Sequence, residues 1–316
     1  MGAFFKIIVV SFNAGENLIK TINSIKEQTF DSWEVIVKDG LSTDGSIDKL
    51  RDELMIDADT GISKDGKFRF VSEKDTGIYD AMNTALNILS FEMDDRKKAP
   101  DIMTGVSTGT GENKTEVTNN GAAQAEGSYV YFLNCGDYLK DKDTLKRVHD
   151  AIVDSTPDSS KKHIFYGDIY ERITGQVVAS NPKMDDFACY RNVPCHQACF
   201  YDIRLMMAEH FDTTWHIRAD YEHFLRCVYI DKAVTTYVPV TVADYEGGGY
   251  SESGNAKVVS ERERKQIVSR YLPKGKVLKY DLIMLITLAP LRTKIARSPK
   301  TAGIYNALKS LLYNRK

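Results

Sequence analysis

In its first ninety residues the chain alternates short apolar runs with segments whose apolar side chains recur at helical spacing. This alternation predicts strands at 5–11, 33–37 and 68–72 and helices at 16–28, 45–55 and 78–89. Strands that alternate with helices form a parallel sheet with right-handed crossovers. We therefore predict an α/β fold, with a mostly parallel central sheet flanked by helices.

The pattern is interrupted at 101–127 and then resumes. The interruption has no aromatic residue and is rich in Thr, Gly, Asn and Ala, so we interpret it as a flexible insertion. A lid over a substrate is the functional alternative. The resumed pattern predicts a strand at 128–133, a helix at 143–153 and a strand at 163–166.

Composition excludes several classes of protein. The 316 residues include 42 Lys and Arg against 44 Asp and Glu, so a globally basic nucleic-acid binder is not expected. The five cysteines include no Cys-x-x-Cys pair, which argues against a structural zinc site and a disulfide framework. The first residues do not resemble a signal peptide, so we expect a cytoplasmic protein.

Charge is distributed unevenly at the end of the sequence. Residues 282–316 contain no Asp or Glu and seven Lys and Arg, interleaved with Leu, Ile and Tyr. This composition is typical of a basic amphipathic segment on an anionic membrane surface. The alternative is a helix pair that packs on its own domain. We predict a main domain at 1–255 and a C-terminal helical segment at 256–316.

Small and polar residues follow each predicted strand. Open parallel sheets bind ligands at the carboxyl ends of their strands, so this edge is the expected site. The sequence after the first strand lacks GxGxxG, and the chain has no GxxxxGK[ST], so dinucleotide and P-loop sites are not indicated.

Six segments in order resemble family 2 glycosyltransferases, especially bacterial enzymes that build capsule, exopolysaccharide or O-antigen sugars. They are VVSFNAGENL, VIVKDGLSTDGSID, SEKDTGIYDAMNTAL, YVYFLNCGDYL, HIRADYEHFLR and YEGGGYSESG. The resemblance implies the nucleotide-diphospho-sugar (GT-A) fold. It also implies a nucleotide-sugar donor. The residues that the resemblance implies as its binding contacts are Ser11, Asn13, Asp39, Ser42, Tyr79, Asp80, Asn83 and Asn134.

Physical chemistry supports part of that assignment. The Asp39 carboxylate could accept the N3–H of uracil, although a turn aspartate before Gly40 is the alternative. Asp80 and Asn83 lie three apart on one helical face, where they could hold ribose or diphosphate-sugar. Acidic charge at a helix N-terminus explains Asp80 equally well.

The metal motif departs from the family pattern. Asn134, Cys135 and Gly136 stand where the family has Asp-x-Asp, and Asp137 follows them. A Mg²⁺ or Mn²⁺ ion on a diphosphate needs few protein ligands, so Asp137 alone could serve, with Asn134 as a neutral oxygen donor.

Asp220 matches the family's catalytic aspartate, although Ala219 replaces its usual Glu neighbour. Inverting transfer needs one carboxylate to take the proton from the acceptor hydroxyl. The resemblance places acceptor contacts at His196, Gln197 and Tyr221, and a flexible flap at 247–251.

We therefore expect an inverting glycosyltransferase that acts on a lipid-linked or saccharide acceptor at the cytoplasmic membrane surface. A non-catalytic glycan-binding or nucleotide-binding module with the same fold is one alternative. A sugar nucleotidyltransferase is another, although SFNAGENL lacks the basic Gly-rich loop that such an enzyme needs.

Overall fold

The computed structural model describes residues 3–98, 127–247 and 254–287. The predicted insertion, except Gly127, lies outside the described residues. So do the flap beyond Gly247 and the basic segment beyond Thr287.

Strands and helices follow the predicted order, and most boundaries agree within two residues. The strands are β1 Phe4–Ser11, β2 Trp33–Asp39, β3 Phe68–Ser72, β4 Ser128–Phe132, β5 Tyr138–Leu139, β6 His163–Glu171, β7 Gln176–Val178, β8 Cys199–Asp202 and β9 Val234–Tyr245. The helices are α1 Glu16–Lys26, α2 Ser46–Leu54, α3 Ile78–Lys98, α4 Thr144–Asp154, α5 Asp186–Arg191, α6 Ile203–Ala208, α7 Ala219–Tyr229, α8 Gly254–Tyr271 and α9 Lys274–Ile286. A 3₁₀ turn spans His196–Ala198.

One sheet contains all nine strands, in the order β3-β2-β1-β4-β8-β6-β9-β5, with β7 paired to β6. The first four strands in this order are parallel to one another, whereas β8 runs antiparallel to β4 and β6. The change of direction at β8 divides the sheet into a parallel half and a mixed half. The parallel half matches the strand–helix alternation, and its carboxyl ends form one edge.

The core lies on both faces of the sheet. Side chains of α1, α2 and α4 pack on one face, among them Ile22, Leu50 and Val148, each fully buried. Those of α3, α5, α6, α7 and α8 pack on the other, where Ile267 and Val268 of α8 are buried. The predicted α/β fold with C-terminal helices is confirmed, and α8 contributes to the core itself.

Helix α9 packs against α5 with one side only. Tyr280 contacts the rings of Phe187 and Tyr190 at centroid distances of 5.2 and 5.3 Å. Leu278, Leu285 and other apolar side chains of α9 remain exposed. Among the helices of the described ranges, none combines the length and apolar character needed to cross a bilayer.

Candidate active site

Three polar side chains meet at the carboxyl edge of the parallel strands. The strand register pairs Ser11 with Asp39 and Asp39 with Ser72. All three lie at the last position of their strands, because β1, β2 and β3 end at the same level of the sheet. The predicted nucleotide-side residues Ser11 and Asp39 are therefore neighbours.

Asp39 is buried, with 1% of its surface exposed, and it accepts three hydrogen bonds. Ser42 donates its Oγ–H to Oδ1 at 2.5 Å and its backbone N–H to Oδ2 at 3.0 Å. Ser72 Oγ donates to Oδ2 at 2.6 Å. Since Oδ1 has a single donor among the described residues, it retains capacity to accept another.

The loops after β1 and β2 are joined by side chains of both. Asn13 N donates to Ser42 Oγ at 2.7 Å, and Asn13 Oδ1 accepts from Thr43 N at 2.9 Å. Gly15 N donates to Asp44 Oδ2, and Asp44 Oδ1 also accepts from Ser46 at the start of α2. Asp44 therefore accepts the first backbone N–H of α2 and ties the two loops together, while Gly45 is the N-cap residue.

Two residues of this region were missed by the sequence reasoning. Phe12 is 66% exposed and lies against Gly40, where an added Cβ would be 3.1 Å from its ring. An exposed aromatic ring beside Asp39 offers a surface for a nucleobase. Lys38 is fully buried and donates to the carbonyls of Asp39 and Glu73 and to Asp75 Oδ2 at 2.7 Å. The position of Lys38 within a mostly apolar strand is the sequence feature that could have predicted this buried pair.

A second group of polar side chains follows β4. Asp137 is buried, accepts from Gln197 Nε2 at 3.0 Å and from Glu246 N at 2.8 Å, and burial raises its pKa to about 6. The carboxylate of Glu246, a residue missed by the sequence reasoning, lies beside Gly136. Cys135 is influenced by carboxylates of both polar groups. Its pKa is raised to about 12, mainly by burial and by smaller amounts by the charges of Asp137 and Asp39.

The oxygen atoms near Asp137 are the available ligands for a metal ion. Asn134 Oδ1 is buried and has no hydrogen-bond partner among the described residues. No group of three or more His, Cys, Asp or Glu in the described ranges is arranged to hold a metal by itself. Both carboxylate oxygens of Asp137 already accept hydrogen bonds, from Glu246 N and Gln197 Nε2, so metal binding by Asp137 with Asn134 stays a prediction.

The predicted base Asp220 lies in the first turn of α7. Tyr79 Oη is 2.9 Å from Asp220 Oδ1 and 2.9 Å from the Ile217 carbonyl oxygen. Burial, followed by the charge of Asp220, raises the pKa of Tyr79 well above its usual value, so its hydroxyl stays protonated. The predicted sugar contact at Tyr79 thus has its hydroxyl directed at the base.

His196 is buried, with rings of Phe132 and Phe211 at 4.8 and 5.8 Å. Neither ring nitrogen has a hydrogen-bond partner within the described residues. Burial lowers the pKa of His196, and Asp220 partly opposes this effect. A neutral imidazole carries one N–H in either tautomer, so this side chain has an unused donor near the base.

Three other predicted residues make contacts within the protein. Asp80 Oδ2 accepts from Thr76 N at 2.8 Å, which agrees with its alternative interpretation as an acidic residue at a helix N-terminus. The Asn83 amide donates to the Phe211 carbonyl at 2.8 Å and accepts from Phe211 N at 2.9 Å. Tyr221 is 1% exposed, and its hydroxyl donates to the Cys189 carbonyl at 2.6 Å. Their sugar or acceptor contacts stay predictions.

Comparison with known sequences supports the resemblance to family 2 glycosyltransferases. Residues 6–90, which include the Asp39 and Tyr79 segments, match the family model described as "Glycosyl transferase family 2". Two curated relatives, from Mycobacterium bovis (strain BCG / Pasteur 1173P2) and Mycobacterium tuberculosis (strain ATCC 25177 / H37Ra), are named "PGL/p-HBAD biosynthesis glycosyltransferase". Each is 28% identical over 258 residues, which cover 79% of this chain and 79% of the relative.

Solved structures share the fold at low sequence identity. S. aureus TarS 1-349 in complex with UDP-GlcNAc has a TM-score of 0.55 and 16% identity, covering 85% of this chain and 71% of that one. Mannosyltransferase PcManGT from Pyrobaculum calidifontis, in complex with GDP-Man and Mn²⁺, has a TM-score of 0.54 and 14% identity, covering 98% and 81%. The chain spans 42% of the longer TarS chain. The resemblance to family 2 glycosyltransferases and the GT-A fold are confirmed.

Proposed function

Starting from the family 2 resemblance, we propose that this chain is an inverting glycosyltransferase of bacterial surface glycan synthesis. It moves a sugar from a nucleotide diphosphate donor, a UDP-sugar, to a lipid-linked or saccharide acceptor. The observation that carries the proposal is a carboxylate, Asp220, with Oδ1 bound by Tyr79 and Oδ2 accepting from no described residue. A general base needs one such oxygen within reach of the acceptor hydroxyl.

The reaction is a single displacement. Asp220 accepts the proton of the acceptor hydroxyl while that oxygen attacks the anomeric carbon of the donor sugar. The bond between this carbon and the phosphate oxygen breaks, and the nucleotide diphosphate leaves with the bonding electron pair. The configuration at the anomeric carbon is inverted, and no covalent intermediate with the protein forms.

On the donor side, the proposed contacts are Asp39 and Phe12. The free capacity of Asp39 Oδ1 suits the N3–H of uracil, and the exposed ring of Phe12 suits stacking on the base. Among the structural relatives, TarS was solved with UDP-GlcNAc, whereas PcManGT was solved with GDP-Man. The proposal that the donor nucleotide is UDP and not GDP therefore depends on the proposed contact from Asp39.

A Mg²⁺ or Mn²⁺ ion is proposed at Asp137 and Asn134, and it would neutralise charge on the leaving diphosphate. The unpartnered Asn134 Oδ1 supports this assignment. Gln197 holds Asp137 through the contact to Oδ2 and so keeps the carboxylate fixed in the turn after β4.

The acceptor side is proposed at His196, whose ring nitrogens have no described partner and whose pKa is lowered by burial against the opposing effect of the Asp220 charge. A donor N–H in an apolar pocket can orient a sugar or phosphate oxygen. The exposed apolar side of α9 supports a position at the inner face of the cytoplasmic membrane, where lipid-linked acceptors are available.

The test combines donor binding with turnover. A thermal-shift series with UDP, GDP, CDP and TDP, each with and without Mn²⁺, should show the largest rise in Tm for UDP with Mn²⁺. Asp220→Asn should bind UDP within a few-fold of the wild type and release no UDP from a UDP-sugar with acceptor present. Asp150→Asn on α4, where Asp150 pairs with Lys146 on the surface, is the matched control and should turn over normally. UDP binding without turnover in the wild type would favour the non-catalytic alternative.

A further inference from the structure

The segment just before α7 is held from the C-terminal side of the chain by Glu263. Glu263 lies on α8 and is buried, with 4% of its surface exposed. Its Oε1 accepts from His216 N, and its Oε2 accepts from Ile217 N and Arg218 N, all at 3.0 Å. One carboxylate therefore binds three consecutive backbone N–H groups at the N-terminus of the helix that carries Asp220.

The same segment is also held by α3. Tyr79 Oη lies 2.9 Å from both the Ile217 carbonyl oxygen and Asp220 Oδ1, and its single hydroxyl proton is shared between these two acceptors. Residue Ile217 thus has its N–H bound by Glu263 and its C=O bound by Tyr79. A continuous chain of contacts runs from α8 through Ile217 and Tyr79 to the carboxylate of Asp220.

We infer that Tyr79 and Glu263 are positioning residues that fix Asp220 in the orientation needed to take the acceptor proton. The inference rests on the proposed function, because it assigns a role toward the proposed base. It extends the active site to α8, which lies outside the residues 6–90 that match the family.

The physical reason lies in the unpaired groups of a helix N-terminus. Of the three N–H groups that Glu263 binds, that of the N-cap residue Arg218 has no partner within the helix, whereas His216 and Ile217 lie just before it. A carboxylate is a favourable acceptor at this end of the helix dipole. Arg218 adds a second tie to α8, since its Nε donates to Ser260 Oγ at 2.8 Å. These contacts limit how far Asp220 can move.

The Tyr79 contact also fixes the direction of the Asp220 carboxylate. A hydroxyl that donates to Oδ1 leaves Oδ2 to face the substrate. The other titratable or charged groups that interact with Asp220 or with its Tyr79 partner come from the 3₁₀ turn, β8 and the segment before α7. They are Cys195, His196, Cys199, Tyr201 and Arg218.

The test uses Tyr79→Phe and Glu263→Gln in the full chain, with Glu261→Gln as the matched control. Glu261 lies on the same helix, and its carboxylate pairs with Arg264. Activity is read as UDP release from UDP-glucose and UDP-N-acetylglucosamine, with octyl glucoside and a bacterial lipid extract as acceptors. Affinity for UDP and amide hydrogen exchange of residues 216–218 are measured on the same samples.

We expect each variant to lower kcat at least tenfold, with UDP affinity within twofold of the wild type. Tyr79→Phe removes the donor to the Asp220 carboxylate and the contact to the Ile217 carbonyl oxygen, so exchange at 216–218 should accelerate. Glu263→Gln leaves one acceptor oxygen for three N–H groups, so exchange at 216–218 should accelerate. Glu261→Gln should match the wild type in all readouts.

Separate outcomes distinguish this inference from the proposed function. A wild type that turns over, an inactive Asp220→Asn, and variants with unchanged kcat would overturn the positioning role alone. A fall in kcat with no change in exchange would also overturn it. A wild type that releases no UDP, or an Asp220→Asn variant as active as the wild type, would overturn both.

Discussion

Ser42 Oγ lies 2.5 Å from Asp39 Oδ1 and 2.7 Å from Asn13 N. The hydroxyl donates its proton to the carboxylate and accepts the backbone N–H, so it links the ends of β1 and β2. Asp39 is thereby fixed in direction without losing the capacity of Oδ1 to accept from a ligand. The three predicted nucleotide-side residues Asn13, Asp39 and Ser42 form one connected unit.

Replacing Ser42 by Ala should weaken UDP binding. The change removes one hydrogen bond to Asp39 and leaves Asn13 N without its acceptor, a loss of about 1 kcal/mol, or roughly fivefold in Kd. Calorimetric titration with UDP measures it. Ser63→Ala is the control, because Ser63 Oγ makes the same 2.5 Å contact to Asp65 in a turn away from the site. Equal Kd values for both variants would contradict the role of Ser42.

The buried pair of Lys38 and Asp75 should contribute strongly to stability. Lys38 has no exposed side-chain surface, and Asp75 is the only carboxylate among its described contacts. Asp75→Asn leaves the ammonium group with neutral acceptors, which should reduce the free energy of unfolding by about 3 kcal/mol. Urea unfolding measures the loss.

A solvent-exposed pair provides the comparison for that prediction. Lys49 and Glu16 contact each other at 2.7 Å, with 54% and 67% of their side chains exposed. Glu16→Gln should leave the urea midpoint unchanged, because water already solvates both groups. If Asp75→Asn were equally neutral, the three contacts of Lys38 would not depend on the negative charge.

His223 should make the fold less stable in acid. Burial lowers its pKa from 6.5 to about 3, and its Nε2 contacts the Glu209 carbonyl at 3.2 Å. The unfolded chain binds a proton near pH 6.5 and the folded chain only near pH 3. Stability from this group is therefore complete above pH 6.5 and is lost as pH falls, by about 1.4 kcal/mol per pH unit.

Urea unfolding of the wild type and His223→Gln between pH 7 and pH 4 isolates this contribution. Gln keeps a donor for Glu209 but does not titrate, so the variant should lose less stability over this range. Asp137 acts in the opposite direction, since its raised pKa of about 6 stabilises the fold as pH falls toward 4. Its contribution is common to both proteins and cancels in the difference. If the free energy of unfolding fell by the same amount in both proteins over this pH range, His223 would not change its protonation on unfolding.

The sequence predicted the parallel half of the sheet well, because strand and helix there alternate with separate periodicities. The mixed half was less predictable. Strand β6 pairs with β9, which lies more than sixty residues later, and local periodicity carries no information on such pairing. The β8 strand has four residues, too short for a clear pattern.

The candidate site shows the same division. The family resemblance singled out Asp39, Asp137 and Asp220, because each lies within a recognisable segment. It could not predict partners distant in sequence: Tyr79 meets Asp220 across 141 positions, and Glu246 meets Asp137 across 109. Glu263 gave no signal at all, since a single Glu in a charged helix is usually solvated.

The exposed apolar side of α9 should bind anionic membranes. Leu278, Leu282, Leu285 and Ile286 are 55–72% exposed and share one helical face, because they lie four, seven and eight positions from the first. Lys274 and Lys279 are exposed on the same helix, and Tyr280 holds its other side against α5. The helix is therefore fixed with its apolar face outward.

Replacing both Leu282 and Leu285 by Asp should abolish co-sedimentation with phosphatidylglycerol vesicles. Each leucine contributes about 1.5 kcal/mol when buried, roughly tenfold in the partition coefficient, so the pair accounts for about a hundredfold. Deletion of residues 282–316 should have at least this effect, and wild-type binding should weaken in high salt or on phosphatidylcholine. Val258→Asp, at a 73% exposed position of α8, is the matched control and should bind normally. Undiminished binding of the double variant would mean that α9 does not contact the bilayer.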